Sequence, residues 1–147
     1  MTYRISTNQF MRRYGELINE GVRSGATDGE ALAKMFAEYF VGSSPSGIIG
    51  AQAGPDLAKI LTGGIANYKR MGCTRFVIET LGIDAINDLH DLARVGWKFD
   101  YRRPADAKEG TIRFENVYFV SHADARPKIF AWVTPDEQAA LTAHGLS

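Results

Sequence analysis

The feature that most constrains this chain is a change of hydrophobic period near residue 73. Upstream, apolar residues recur every three or four positions, as on one face of a helix. Downstream they recur every second position, as on one face of a strand. Leu89, Asp91, Ala93, Val95, Trp97, Phe99 and Tyr101 share a face of one alternating run over 89–102, with Arg94, Lys98, Asp100 and Arg102 between them. Ile112, Phe114, Asn116, Tyr118 and Val120 share a face of a second run over 111–122. The segment between them, 103–110, reads as the turn of a long antiparallel hairpin. Residues 73–85 are rich in strand formers without clean alternation, and 128–133 form a short strand.

The upstream half reads as helices. Ser6 and Gln9 have capping-box spacing ahead of the stripe Phe10, Tyr14, Leu17, Ile18 and Val22. Thr27 and Glu30 repeat that spacing ahead of Leu32, Met35, Phe36, Tyr39 and Phe40, which predicts a second helix ended by the loop at 43–47. A third starts on Pro55 and carries Leu57, Ile60, Leu61, Ile65, Tyr68 and Met71 to Gly72. Gly63-Gly64 inside it costs about 1 kcal/mol per residue relative to Ala, so the helix either bends there or packs very close to another element. Thr134, Pro135 and Glu137 open a last short helix that Gly145 closes. The expectation is one α+β domain over 1–147: three N-terminal helices packed on a curved antiparallel sheet, then a short C-terminal helix.

Charge sets the expected register of the hairpin. Facing residues of an antiparallel pair have numbers of constant sum, and both apolar rows share a face only if that sum is odd. A sum of 213 pairs Lys98 with Glu115 and Asp100 with Arg113. A sum of 211 sets Lys98 against Arg113, and 215 sets Asp100 against Glu115 and Arg102 against Arg113. Cross-strand charge pairs help or hinder by roughly 0.2–1 kcal/mol each, which favours 213. Without an intervening bulge, Trp97 then faces Asn116, Val95 faces Tyr118 and Asp91 faces His122. The other face carries Leu92, Val117 and Phe119, joined by Phe130 and Trp132 of the last strand. A sheet apolar on both faces needs two covers, and a second copy of the chain is the economical choice for the outer one.

Several classes are excluded. Lys+Arg and Asp+Glu both number 17, so no bulk basic face exists for nucleic acid. No apolar run approaches the ~20 residues of a membrane span, and the opening MTYRISTNQF lacks a leader's apolar stretch. Cys73 has no cysteine to pair with, so a reducing, cytoplasmic setting is expected. Scattered His90, His122 and His144 give no zinc spacing, and neither a phosphate loop nor a nucleophile elbow is present. No cofactor or metal is expected.

Helical segments 31–40 and 55–72 followed by the strands 91–102 and 112–120 resemble the nuclear transport factor 2-like superfamily, in its SnoaL-like branch of polyketide cyclase and ketosteroid isomerase relatives. The resemblance is one of pattern and length over nearly the whole chain. It implies a cystatin-like cone whose sheet wraps a helix and leaves a pocket at the open end. It also implies a homodimer through the outer sheet face, here Val117, Phe119, Phe130 and Trp132. Many such proteins act without a cofactor on small hydrophobic molecules, and others only bind or associate.

Candidate site residues follow from chemistry. An Asp beside a His is a usable base near neutral pH, so Asp91 is the expected base and His122 its partner. Trp97, Tyr101, Asn116 and Tyr118 supply an aromatic wall with polar tips, as a small-molecule pocket needs. Tyr14, Tyr39 and Tyr68 lie on three helical stripes, and their hydroxyls, if they converge, would bind a carbonyl. The expected function is binding of a small hydrophobic carbonyl compound, with isomerase, cyclase or dehydratase chemistry. The alternative is a non-catalytic ligand-binding or homodimeric association domain of the same fold.

Overall fold

The computed structural model describes residues 5–146, so the first four residues of the opening segment lie outside it. In chain order the elements are α1 (Thr7–Ser24), α2 (Gly29–Ala33), β1 (Phe36–Ser44), β2 (Gly47–Gln52), α3 (Pro55–Met71), β3 (Cys73–Asn87), β4 (His90–Arg102), β5 (Glu109–Ser121), β6 (Lys128–Val133) and α4 (Glu137–Ala143). Ser6 caps α1 by accepting from the Gln9 N–H, while the Gln9 side chain returns to the Ser6 N–H. Among the described residues, six strands form one sheet in the order β2-β1-β6-β5-β4-β3. Neighbours are antiparallel except β1 and β6, which run parallel. α1 packs on β3 and on α3. Its stripe Phe10, Tyr14, Leu17, Ile18 and Val22 is buried, together with Ala93, Val95, Trp97 and Phe99 of β4 and Ile112, Tyr118 and Val120 of β5. Truncating Trp97 or Phe99, both fully buried, would cost roughly 3–5 kcal/mol.

The second predicted helix is mostly not one. It stops at Ala33, and Phe36–Ser44 is a strand paired with β2 and β6. Two helices, not three, therefore precede the sheet. A spacing of four satisfies both periods: Phe36 and Phe40 fall on one face of a strand as well as of a helix, and both are buried. The β-formers Tyr39, Phe40 and Val41 decide for the strand. The 43–47 loop is its hairpin turn. Two caps also differ by position: Asp28 and Asp136, not Thr27 and Thr134, accept from the third N–H of α2 and α4.

The hairpin register has a sum of 211, not 213. Trp97 faces Phe114, Val95 faces Asn116 and Asp91 faces Val120. Lys98 does stand opposite Arg113, but neither charge is stranded. Arg113 Nε donates to Glu79 of β3 at 3.0 Å, and Lys98 lies 4.0 Å from Asp100, which also accepts from Thr111 Oγ1 at 2.7 Å. A third strand supplied the counter-charge that a two-strand argument omitted. The turn itself favours 211, because Arg103 donates twice to Asp106 and its N–H bonds Lys108 O at 2.8 Å.

Bulges account for the remaining phase changes. Three along β3 explain its missing alternation. In β6, Ile129 pairs with Val120 but Ala131 pairs with Phe119, leaving Phe130 as an extra residue. Phe130 stays on the outer face, 6.0 Å from Phe119 between ring centroids. Trp132, expected beside it, turns inward instead and packs on Phe36 and Phe40 at 5.8 and 5.5 Å. It lies across Gly42, where an added Cβ would overlap the indole. Gly63-Gly64 neither interrupts α3 nor meets a neighbour, for a Cβ at either position has nothing within 4 Å.

Candidate functional site

The concave side of the sheet encloses a cavity of about 380 Å³. α1 contributes Tyr14 and Ile18, α3 contributes Leu57, Ile60, Leu61, Ile65 and Tyr68, and β1 contributes Phe36 and Phe40. Phe76, Trp97, Phe114, Asn116, Tyr118 and Trp132 form its sheet wall. Most of these groups are apolar, so each polar atom carries information.

The polar atoms form two groups. In the wall, the Tyr118 hydroxyl oxygen accepts from Trp97 Nε1 at 3.3 Å, from Asn116 Nδ2 at 3.2 Å and from the Tyr14 hydroxyl. The other amide atom of Asn116, Oδ1, is buried and has no protein partner. Turning the amide by half a turn exchanges its ends without changing its shape, and one end is unpaired either way. At the mouth, Glu137 opens α4 and accepts from the Tyr68 hydroxyl. Burial raises the Glu137 carboxyl, opposed by that hydrogen bond. Burial also raises Tyr14, Tyr68 and Tyr118, and the charge of Glu137 adds to all three. The phenols therefore remain protonated donors in a cavity that also holds one half-buried carboxyl, an arrangement able to bind a carbonyl oxygen and exchange a proton beside it.

The expected residues are divided by the structure. Tyr14, Tyr68, Trp97, Asn116 and Tyr118 line the cavity. Tyr39 does not: it is 67% exposed on β1, beside Gln52. Tyr101 does not either, since its hydroxyl is 3.0 Å from His144 Nδ1 beneath α4. Asp91 and His122 meet, but outside the cavity. His122 is one step along its row from the residue facing Asp91, so the two are diagonal neighbours, with Nε2 3.5 Å from Oδ2. Thr7 Oγ1 sits between them, donating to Asp91 and 2.7 Å from His122 Nε2. This cluster ties the first turn of α1 to the sheet, where a carboxylate also meets the helix dipole favourably. Neither Asp91 nor His122 is among the residues that line the cavity. Glu137, read from sequence only as a capping residue, and Trp132, read as an outer-face residue, are in the cavity wall instead. No local signal marked Glu137, because its position depends on where β6 delivers α4. Among the described residues, no group of three His, Cys, Asp or Glu could hold a metal ion, and no helix is long and apolar enough to cross a membrane.

Residues 6–137 match a family model described as NTF2-like protein (DUF6841). No curated protein matches the sequence. Among solved structures, the chain is similar to an NTF2-like protein with a cystatin-like fold from Novosphingobium aromaticivorans, with a TM-score of 0.64, 16% identity, and coverage of 95% of this chain and 87% of that one. A provisionally named scytalone dehydratase from the same organism has a TM-score of 0.60 at 15% identity, covering 86% and 78%. A provisionally named calcium/calmodulin-dependent protein kinase II association domain from Xanthomonas campestris has a TM-score of 0.57 at 9% identity, covering 89% and 88%. At these identities the likeness is one of fold.

Proposed function

The chain belongs to this NTF2-like family, and from that premise we propose that its cavity binds a small, largely apolar carbonyl compound and exchanges a proton next to the carbonyl. The observation that carries the reading is the presence, in one apolar cavity, of the Tyr118 donor cluster and the half-buried Glu137 carboxyl. The carbonyl oxygen accepts from the phenol cluster. Glu137, as carboxylate, takes the proton from the adjacent carbon, leaving an enolate whose oxygen the phenols stabilise, and returns it to the same or a conjugated carbon. Burial that raises the Glu137 carboxyl makes it a stronger base toward a weak carbon acid. Asp91 and His122 have no part in this step. The dehydratase name of one neighbour is consistent with such chemistry.

The test uses 2-tetralone. Trp97 and Trp132 are the chain's two tryptophans, and both line the cavity, so intrinsic fluorescence reports its occupancy. Saturable quenching is expected, with deuterium entering the α-carbon in D₂O faster than in buffer. Glu137→Gln is expected to keep the quenching and lose the exchange. Quenching without exchange in the unmodified protein would reduce the reading to ligand binding, and neither would overturn it.

Self-association is a second reading, favoured by Leu92, Val117, Phe119 and Phe130 lying half-buried on the face away from the helices. Trp132 is no part of that face. Sedimentation equilibrium should show a dimer that Phe119→Lys dissociates.

A further inference from the structure

A second cavity of about 460 Å³ lies outside the first, between the β1–β2 turn, α3 and α4. The two share Gly64, Tyr68, Trp132, Thr134 and Glu137, so they meet at one junction. Their chemistry differs. The inner cavity is aromatic and aliphatic, whereas the outer one adds Ser44, Ser46, Asn67, Asp136 and Gln138. Its charged lining residues are the carboxyls Asp136 and Glu137, with no Lys or Arg among them.

Gly64 is the informative residue at the junction. A glycine inside a helix is destabilising by about 1 kcal/mol relative to Ala, and a packing contact or a left-handed backbone normally explains it. Gly64 has neither: its φ is not positive, and an added Cβ would meet no atom within 4 Å. Gly63 is equally open but lines neither cavity. Of the two open glycines, only Gly64 lines both cavities.

We infer that the two cavities are one bipartite site for a ligand with an apolar head and a polar tail that is not anionic, and that Gly64 is bare so the tail can pass. This rests on the inner cavity being a ligand site. The head occupies the aromatic chamber and the tail hydrogen-bonds the serines and amides outside. A carboxylate, phosphate or sulfate on the tail would meet Asp136 and Glu137 with no cation to offset them.

The experiment is calorimetric titration with four probes. 1-Naphthol is the head alone. 4-(1-Naphthyloxy)butan-1-ol, 4-(1-naphthyloxy)butylamine and 4-(1-naphthyloxy)butanoate add neutral, cationic and anionic tails. The alcohol and amine should bind more tightly than 1-naphthol, and the butanoate about fivefold or more weaker than the alcohol. Asp136→Asn, which keeps an N-cap side chain, should narrow the gap between amine and butanoate about threefold. Gly64→Leu and Gly63→Leu should each raise Tm by about 2–4 °C through helix propensity. Only Gly64→Leu should erase the advantage of the alcohol over 1-naphthol, both measured on that variant.

Equal binding of butanoate and alcohol overturns the inference, as does identical behaviour of the two leucine variants. The tail series and Asp136→Asn decide the matter even if Gly64→Leu does not fold. Binding of 1-naphthol with no gain from any tail leaves the inner site standing and removes the bipartite one. Failure of all four probes on the unmodified protein removes both.

Discussion

Replacing Asn116 by Leu should stabilise the protein while weakening the ligand binding proposed above. Within the protein Asn116 gives one hydrogen bond, Nδ2 to the Tyr118 oxygen at 3.2 Å, and its buried Oδ1 has no protein partner. A buried unpaired polar group costs about 1–3 kcal/mol, and a neutral hydrogen bond contributes about 0.5–1.5 kcal/mol. Leucine removes both and has similar bulk, and Tyr118 still accepts from Trp97 and Tyr14. The balance is a gain of about 1 kcal/mol, read as a Tm rise of about 2–4 °C for a domain of this size. Urea denaturation should give the same sign with an unchanged slope. Tyr118→Phe should act oppositely. It strips the acceptor from two buried N–H donors, Trp97 Nε1 and Asn116 Nδ2, and from the Tyr14 hydroxyl, which can rotate, at a cost of roughly 2–4 kcal/mol. Both variants should weaken quenching by 2-tetralone. A loss of more than about 1 kcal/mol in Asn116→Leu would refute the argument, because the amide would then be holding the fold rather than waiting for a ligand.

Thr7→Val should leave the Asp91–His122 cluster without its shared hydroxyl and cost about 2 kcal/mol in urea denaturation, with 2-tetralone affinity unchanged; lost affinity would mean the cluster reaches the cavity. The raised Glu137 carboxyl makes the folded chain bind its proton more tightly than the unfolded chain does. That stabilisation is full below the ordinary glutamate value of about 4.3 and is lost as pH rises through the raised one. Glu137→Gln should therefore flatten the fall of the urea midpoint with rising pH. Burial pushes the Cys73 thiol up to about 12, so it should resist Ellman's reagent at pH 8 until the protein is unfolded.

Legibility from sequence followed the strength of the local signal. α1, α3 and the long hairpin were readable because many residues repeat one period, and the Ser6 capping box marks the first of them. β1 was not, because the four-residue step from Phe36 to Phe40 belongs to both periods, and the parallel partner that settles the matter lies at the far end of the chain. The register failed for a related reason: the charge that neutralises Arg113 sits on β3, outside the pair being compared. Of the cavity, the residues on long alternating rows were found, Trp97, Asn116 and Tyr118. Those placed by a bulge or a helix entry, Trp132 and Glu137, were missed. Tyr39 and Tyr101 are tyrosines on apolar rows like Tyr14 and Tyr68, and only packing separates the two kinds.

The parallel pairing of β1 with β6 also orders events in time. Phe36 is synthesised 93 residues ahead of its partner Ile129. The β1–β2 hairpin, with Phe40, Ile49 and Ala51 of the cavity wall, can form locally but has no sheet to join until β6 is made. Closing so long a loop is slow, because its entropy is lost before any contact repays it. The cavity wall is therefore completed only after β6 is made. In the finished sheet β2 is still an edge strand, with Ile48 and Ile49 exposed. A compound that fits the chamber would act as a folding aid for newly made chains.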